Sequence, residues 1–92
     1  MSLSLCMIVK NEEDTIAGCI RSVRDLADEI VVVDTGSRDR TVASAESLGA
    51  VIYEYEWNDS FADARNFALS KATMDWILVM DADDELERED KE

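Results

Sequence analysis

Three polar clusters each close an apolar run: Lys10-Asn11-Glu12-Glu13, Asp34-Thr35-Gly36-Ser37 and Asp81-Ala82-Asp83-Asp84. The last carries the sharpest chemistry. Asp81 and Asp83 offer hard oxygen ligands of the kind Mg2+ or Mn2+ takes when it bridges to phosphate oxygens, and two carboxylates suit either ion. Asp34 can accept a hydrogen bond from a ribose hydroxyl or from the N–H of a base. Singly, an acidic cluster also fits a plain surface turn, and Glu12 and Glu13 also suit a helix N-terminus. Their recurrence at three run ends points to one shared site.

The elements that would position these clusters alternate regularly. Leu3 to Val9 is apolar almost throughout, as a central parallel strand covered on both faces should be. Asn11, with Asp14 three residues on, is placed to cap a helix, and Ile16, Cys19, Ile20, Val23 and Leu26 follow at helical spacing. Glu29 to Asp34 is a second, β-branched strand. Ser37 or Asp39 can cap the next helix, which carries Val42, Ala45 and Leu48 and stops at Gly49.

Val51 to Trp57 alternates, with Tyr53, Tyr55 and Trp57 on one face and Glu54 and Glu56 on the other, which predicts an edge strand. Ser60 and Asp63 have capping spacing at the head of a third helix with Phe61, Ala64, Ala68 and Ala72 on its inner face. Trp76 to Met80 reads as a fourth, buried strand that delivers Asp81 and Asp83 to its carboxyl end. Glu85 to Glu92 is charged and unpatterned. The series predicts an α/β, three-layer, Rossmann-like, mostly parallel sheet with right-handed crossovers. In such a sheet the strand carboxyl ends share one rim, and ligands bind there.

The 92 residues make one small domain or part of a larger one. With 22 acids, 9 bases and no histidine, the formal charge is −13, which argues against nucleic acid and anionic membrane as partners. The same field would repel a nucleoside diphosphate unless a divalent metal intervened. Cys6 and Cys19 sit in apolar patterns, and no signal peptide or membrane span is recognisable, so the simplest expectation is a reduced, cytoplasmic chain. Cysteine catalysis has no histidine to support it, and two cysteines are too few for a zinc site.

Four blocks together closely resemble the family 2 glycosyltransferases of GT-A fold. They are Met7 to Glu13, Val32 to Thr41, Trp57 to Asn66 and Met80 to Asp84, and the likeness covers residues 3–86. The branch it is most similar to includes bacterial enzymes that build lipopolysaccharide core or modify peptides. The resemblance implies a nucleotide-sugar-binding half over residues 1–86, a charged end over 87–92 and, with strands numbered along the chain, the order 3-2-1-4. It implies that Val9, Asn11 and Glu13 border the nucleotide, that Asp34 contacts the base, typically uracil, and that Arg65 approaches the base or diphosphate. Asp81 would lie near the ribose and Asp83 would ligate Mn2+ or Mg2+. Thr35 stands where many relatives carry a second Asp, which leaves the base preference open.

The donor implied is a nucleotide-diphosphate sugar, a UDP-sugar first, and the acceptor a glycan, lipid-linked glycan or peptide. Transfer in the family type is inverting and needs a general base. That base is expected beyond residue 92, so the chain by itself is expected to transfer no sugar, and the full-length protein could work at the inner face of the membrane. A sheet without later strands would have one exposed flank, open to self-association. Three other readings compete. A sugar nucleotidyltransferase would want a glycine-rich loop after strand one, which Lys10 to Glu13 lacks. A receiver-type domain would pair acids after strand one. A non-catalytic nucleotide-binding or assembly module fits a chain without its base.

Overall fold

The computed structural model describes residues 2–80. β1 (Leu3–Val9) lies inside the sheet, as its apolar character predicts. On one side it pairs in parallel with β2 (Glu29–Asp34), from Ser4 opposite Glu29 to Val9 opposite Asp34. On the other it pairs with β4 (Trp76–Val79), starting at Leu3 opposite Trp76. β3 (Val51–Glu54) pairs in parallel with β2, so the order is β3-β2-β1-β4. This is the order that the resemblance implied.

Three helices connect the strands: α1 (Ile16–Val23), α2 (Thr41–Ser47) and α3 (Phe61–Lys71). The chain steps from β1 to β2 to β3 in one direction and then reverses to reach β4. With crossovers of one hand, the reversal must carry α3 to the opposite face. Accordingly, one core layer joins Leu5, Met7 and Val32 to Ile16, Ile20 and Ala45 of α1 and α2. The other joins Cys6, Val31 and Val33 to Ala68 and Phe67 of α3. The molecule is thus three layers deep, and both cysteines are buried. Burial, and secondarily the charge on Glu29, pushes the Cys6 thiol up from its ordinary value.

Several expectations need correction. Leu26 lies beyond the last turn of α1 and is 55% exposed, because the chain leaves the helix at Val23 to bring Asp28 N–H to Leu3 O. Phe61 is not on the inner face of α3; Ala64 and Ala68 are, and Phe67 packs under Tyr53 and Tyr55. β3 is shorter than the alternation suggests and ends at Glu54. β4 was expected to be buried, yet it borders only β1 among the described strands, and Trp76, Ile77 and Val79 are exposed. α3 sits over β1 and β2, which leaves that flank uncovered among the described residues.

The amino-terminal rim is fastened by a polar latch. Ser4, fully buried in β1, donates from Oγ to Glu29 Oε1 at 2.7 Å and accepts from Met74 N–H at 3.2 Å. Thr73 N–H donates to the same Glu29 oxygen at 2.9 Å. The Ser4 hydroxyl first, then Thr73, hold the Glu29 carboxyl below the usual carboxylate range. A depressed folded value contributes stability above the unfolded pKa of about 4.3, and that contribution is lost as pH falls through the folded value. Glu29→Gln is therefore expected to lower the melting temperature slightly at neutral pH and to flatten its decline on acidification. Parallel acid titrations of Tm in the two proteins would refute this. The effect is small because Glu29 remains accessible to solvent.

Candidate functional site

The carboxyl rim is built by two loops that hold each other. Asn11, at φ 54°, does not cap α1; Thr15 stands at that position. Instead Asn11 N–H donates to Ser37 Oγ at 2.9 Å, and its Oδ1 accepts from Arg38 N–H at 2.8 Å. Glu12 N–H reaches Thr41 Oγ1 at 2.7 Å, Glu13 N–H reaches Asp39 Oδ2 at 3.3 Å, and Arg40 N–H reaches Glu13 Oε1 at 3.3 Å. Ser37 is thus spent on the neighbouring loop, and Asp39 is the residue whose carboxylate meets the first amide of α2, Thr41 N–H, at 3.0 Å. The Thr41 hydroxyl is the largest cause holding the Asp39 carboxyl low.

Asp34 ends β2 and is 6% exposed. Its carboxylate accepts Gly36 N–H at 3.2 Å and Ser37 N–H at 3.1 Å, so the turn is wound around the acid. Gly36, at φ +119°, permits that winding where an L side chain would be strained. Thr35 is fixed in turn, its N–H and Oγ1 both donating to Val9 O, at 3.0 and 2.9 Å. A carboxylate has about four lone-pair sites, so Asp34 keeps acceptor capacity for a ligand.

Two clefts open on this rim. The larger, about 570 Å³, is lined by Asp34, Thr35, Glu54, Tyr55, Glu56 and Trp57. The second, about 240 Å³, lies at the end of β1 between Ile8, Val9, Lys10 and Phe61, and shares Thr35 and Trp57 with the first. The chain from β3 to α3 crosses the rim and divides the clefts with Trp57. Its course is braced: Asn58 Nδ2 donates to Asp63 Oδ2 at 3.1 Å, Ser60 N–H donates to Asn58 Oδ1 at 3.1 Å, and Ser60 Oγ caps α3 through Asp63 N–H.

Of the residues singled out from sequence, Asp34 and Val9 line these clefts. Asn11 and Glu13 serve the rim framework and line neither. Arg65 stacks its guanidinium over Phe61, 5.0 Å from the ring centroid, and so stands one residue behind the second cleft. Asp81 and Asp83 lie outside the described residues, and among the described residues no group of three or more His, Cys, Asp or Glu could hold a metal. Sequence reasoning missed Tyr55, Trp57 and Phe61 as cleft residues. Its available signal was an aromatic run at a strand's carboxyl end, read there as a strand face.

Comparison with known proteins decides the family. The model of glycosyl transferase family 2 matches residues 4–92. The chain belongs to that family. This glycosyltransferase domain is 54% identical to a TPR repeat-containing protein of Synechococcus elongatus over 84 residues, covering 91% of this chain and 21% of that protein. It is 45% identical to an uncharacterized glycosyltransferase of Rickettsia felis, covering 95% of this chain and 30% of that one. The family 2 chain therefore spans less than a third of these relatives' length.

Among solved structures it is similar to glucosyl-3-phosphoglycerate synthase from Mycobacterium tuberculosis in complex with UDP. The TM-score is 0.78 at 27% identity, over 89% of this chain and 34% of that one. S. aureus TarS gives a TM-score of 0.81 at 29% identity, over 98% of this chain and 30% of that one. Another structure of the synthase, at TM-score 0.76, holds Mn2+, UDP and glucosyl-3-phosphoglycerate. The fold of this family 2 domain is accordingly the GT-A fold.

Proposed function

We propose that this chain is the donor-binding part of a glycosyltransferase, taking a nucleotide-diphosphate sugar, a UDP-sugar first, with its base in the cleft beside Asp34. The observation that carries this reading is the buried Asp34 carboxylate, fixed by its own turn at the mouth of a 570 Å³ cleft on the carboxyl rim of a parallel sheet. A neutral base with N–H donors suits a cleft that also holds Glu54 and Glu56, whereas a phosphate there would be repelled. The synthase that this fold is similar to is described with UDP and Mn2+, which supports the choice of uridine and of a divalent ion.

The diphosphate would then point along the rim toward the end of β4, where Asp81 follows Met80 directly in sequence and Asp83 comes two residues later. Their all-oxygen donor set fits Mn2+ or Mg2+. When bound, the ion would offset charge gathering on the leaving nucleoside diphosphate. Asp34 and Thr35 would orient the nucleotide, and Glu54 and Glu56 of the larger cleft would keep other anions out of it. The full-length protein would transfer the sugar with inversion to an acceptor.

Calorimetric titration with UDP, GDP, CDP and dTDP, each with Mn2+ and again with EDTA, tests the reading. One nucleotide should bind with metal, weaken in EDTA and lose its metal dependence in Asp83→Ala. Failure of all four to bind with metal would reject it.

A further inference from the structure

We infer that Trp57 is the residue on which the nucleotide's base stacks, an assignment that rests on the donor-site reading above. Trp57 is the aromatic side chain common to both clefts, and at 42% exposure its ring is open to a ligand in either. Its position is not that of a loose loop residue. Tyr55 N–H is tied to Asp34 O at 2.9 Å on one side, and the Asn58–Ser60–Asp63 hydrogen bonds fix the chain on the other. The backbone that carries the ring therefore requires little further ordering on binding.

The chemistry around it selects the part of the ligand that stacks. On one side Asp34, Glu54 and Glu56 repel phosphate but can accept from the N–H edge of a base. In this assignment a flat, neutral heterocycle gives its N–H edge to Asp34 and its face to the indole, both of which line the one cleft. Stacking of a base on an aromatic side chain is sequence-tolerant, so Trp57 supplies affinity while the carboxylates supply selection. Phe61, 45% exposed and backed by the Arg65 guanidinium, forms the next wall along the cleft at the end of β1.

The second tryptophan makes the test direct. Trp76 begins β4, opposite Leu3 on the amino-terminal rim, about 20 Å from the carboxyl ends of the strands. Trp76→Phe leaves Trp57 as the single indole of the chain. Adding UDP with Mn2+ to that protein should change the Trp57 emission with the same midpoint as the calorimetric binding curve, and uridine alone should produce the same kind of change at higher concentration. Glucose 1-phosphate should not. Trp57→Phe should bind UDP within roughly threefold of the parent, and Trp57→Ala roughly tenfold to a hundredfold more weakly. UDP binding by calorimetry without a change in Trp57 emission would overturn the assignment while leaving the donor site standing. A response to glucose 1-phosphate and none to uridine would give the ring to the sugar and overturn it likewise. Absence of binding by any nucleotide would overturn both.

Discussion

Asp34→Ala is expected to weaken UDP binding by roughly tenfold to a hundredfold, as loss of a hydrogen bond to a charged acceptor does. It should also destabilise the chain. The carboxylate is the acceptor for Gly36 N–H and Ser37 N–H, and truncation to Ala leaves both amides without that partner. Partly exposed turn amides recover some of that loss from water, so about 1–3 kcal/mol is expected. Asp34→Asn separates the two effects. It keeps one side-chain oxygen for the turn, so most stability should return, while the acceptor offered to the base changes. Urea midpoints and calorimetry on the three proteins give the answer. If Asp34→Ala binds UDP within about twofold of the parent, the acid is only a turn residue.

Ile20→Ala should remove about 2–5 kcal/mol, because Ile20 is fully buried between α1 and the sheet and its deletion leaves a cavity. In a small domain that is a large share of the total stability. Leu26→Ala should change the urea midpoint hardly at all, although the two residues belong to one apolar series along the sequence. Comparable losses in both would place Leu26 in the core and contradict the end of α1 at Val23.

That pair shows where local pattern stops carrying information. The spacing Ile16, Cys19, Ile20, Val23 is helical and buried, but nothing in it says that the chain must turn at Val23 to meet β1. Strand bounds were easier: the apolar runs ending at Val9 and Asp34 coincide with β1 and β2, because polar residues at the rim end both pattern and ladder. Ser60 and Asp63 were legible as a cap since both partners are local. Asn11 was not. A cap and a left-handed loop residue use the same short amide side chain, and its partner, Arg38 N–H, is 27 residues away.

The site was legible unevenly for a related reason. Asp34 was found because an acid at the end of an apolar strand is a local signal. Trp57 was assigned to a strand face because alternation continues past Glu54, where the ladder has already ended and the chain has turned over the rim. The exposure of Trp76, Ile77 and Val79 follows from the place of β4 at the end of the order β3-β2-β1-β4, which the apolar run by itself does not reveal.

The rim framework also divides its positions into two kinds. Asn11, Glu13, Ser37, Asp39 and Thr41 contribute side chains, whereas Arg38 and Arg40 contribute backbone amides alone. An amide is the same whatever residue carries it. Side chains at 38 and 40 can therefore be exchanged without altering the hydrogen bonds that hold the loops together. The charge carried at these two positions of the rim can thus change while the architecture stays in place.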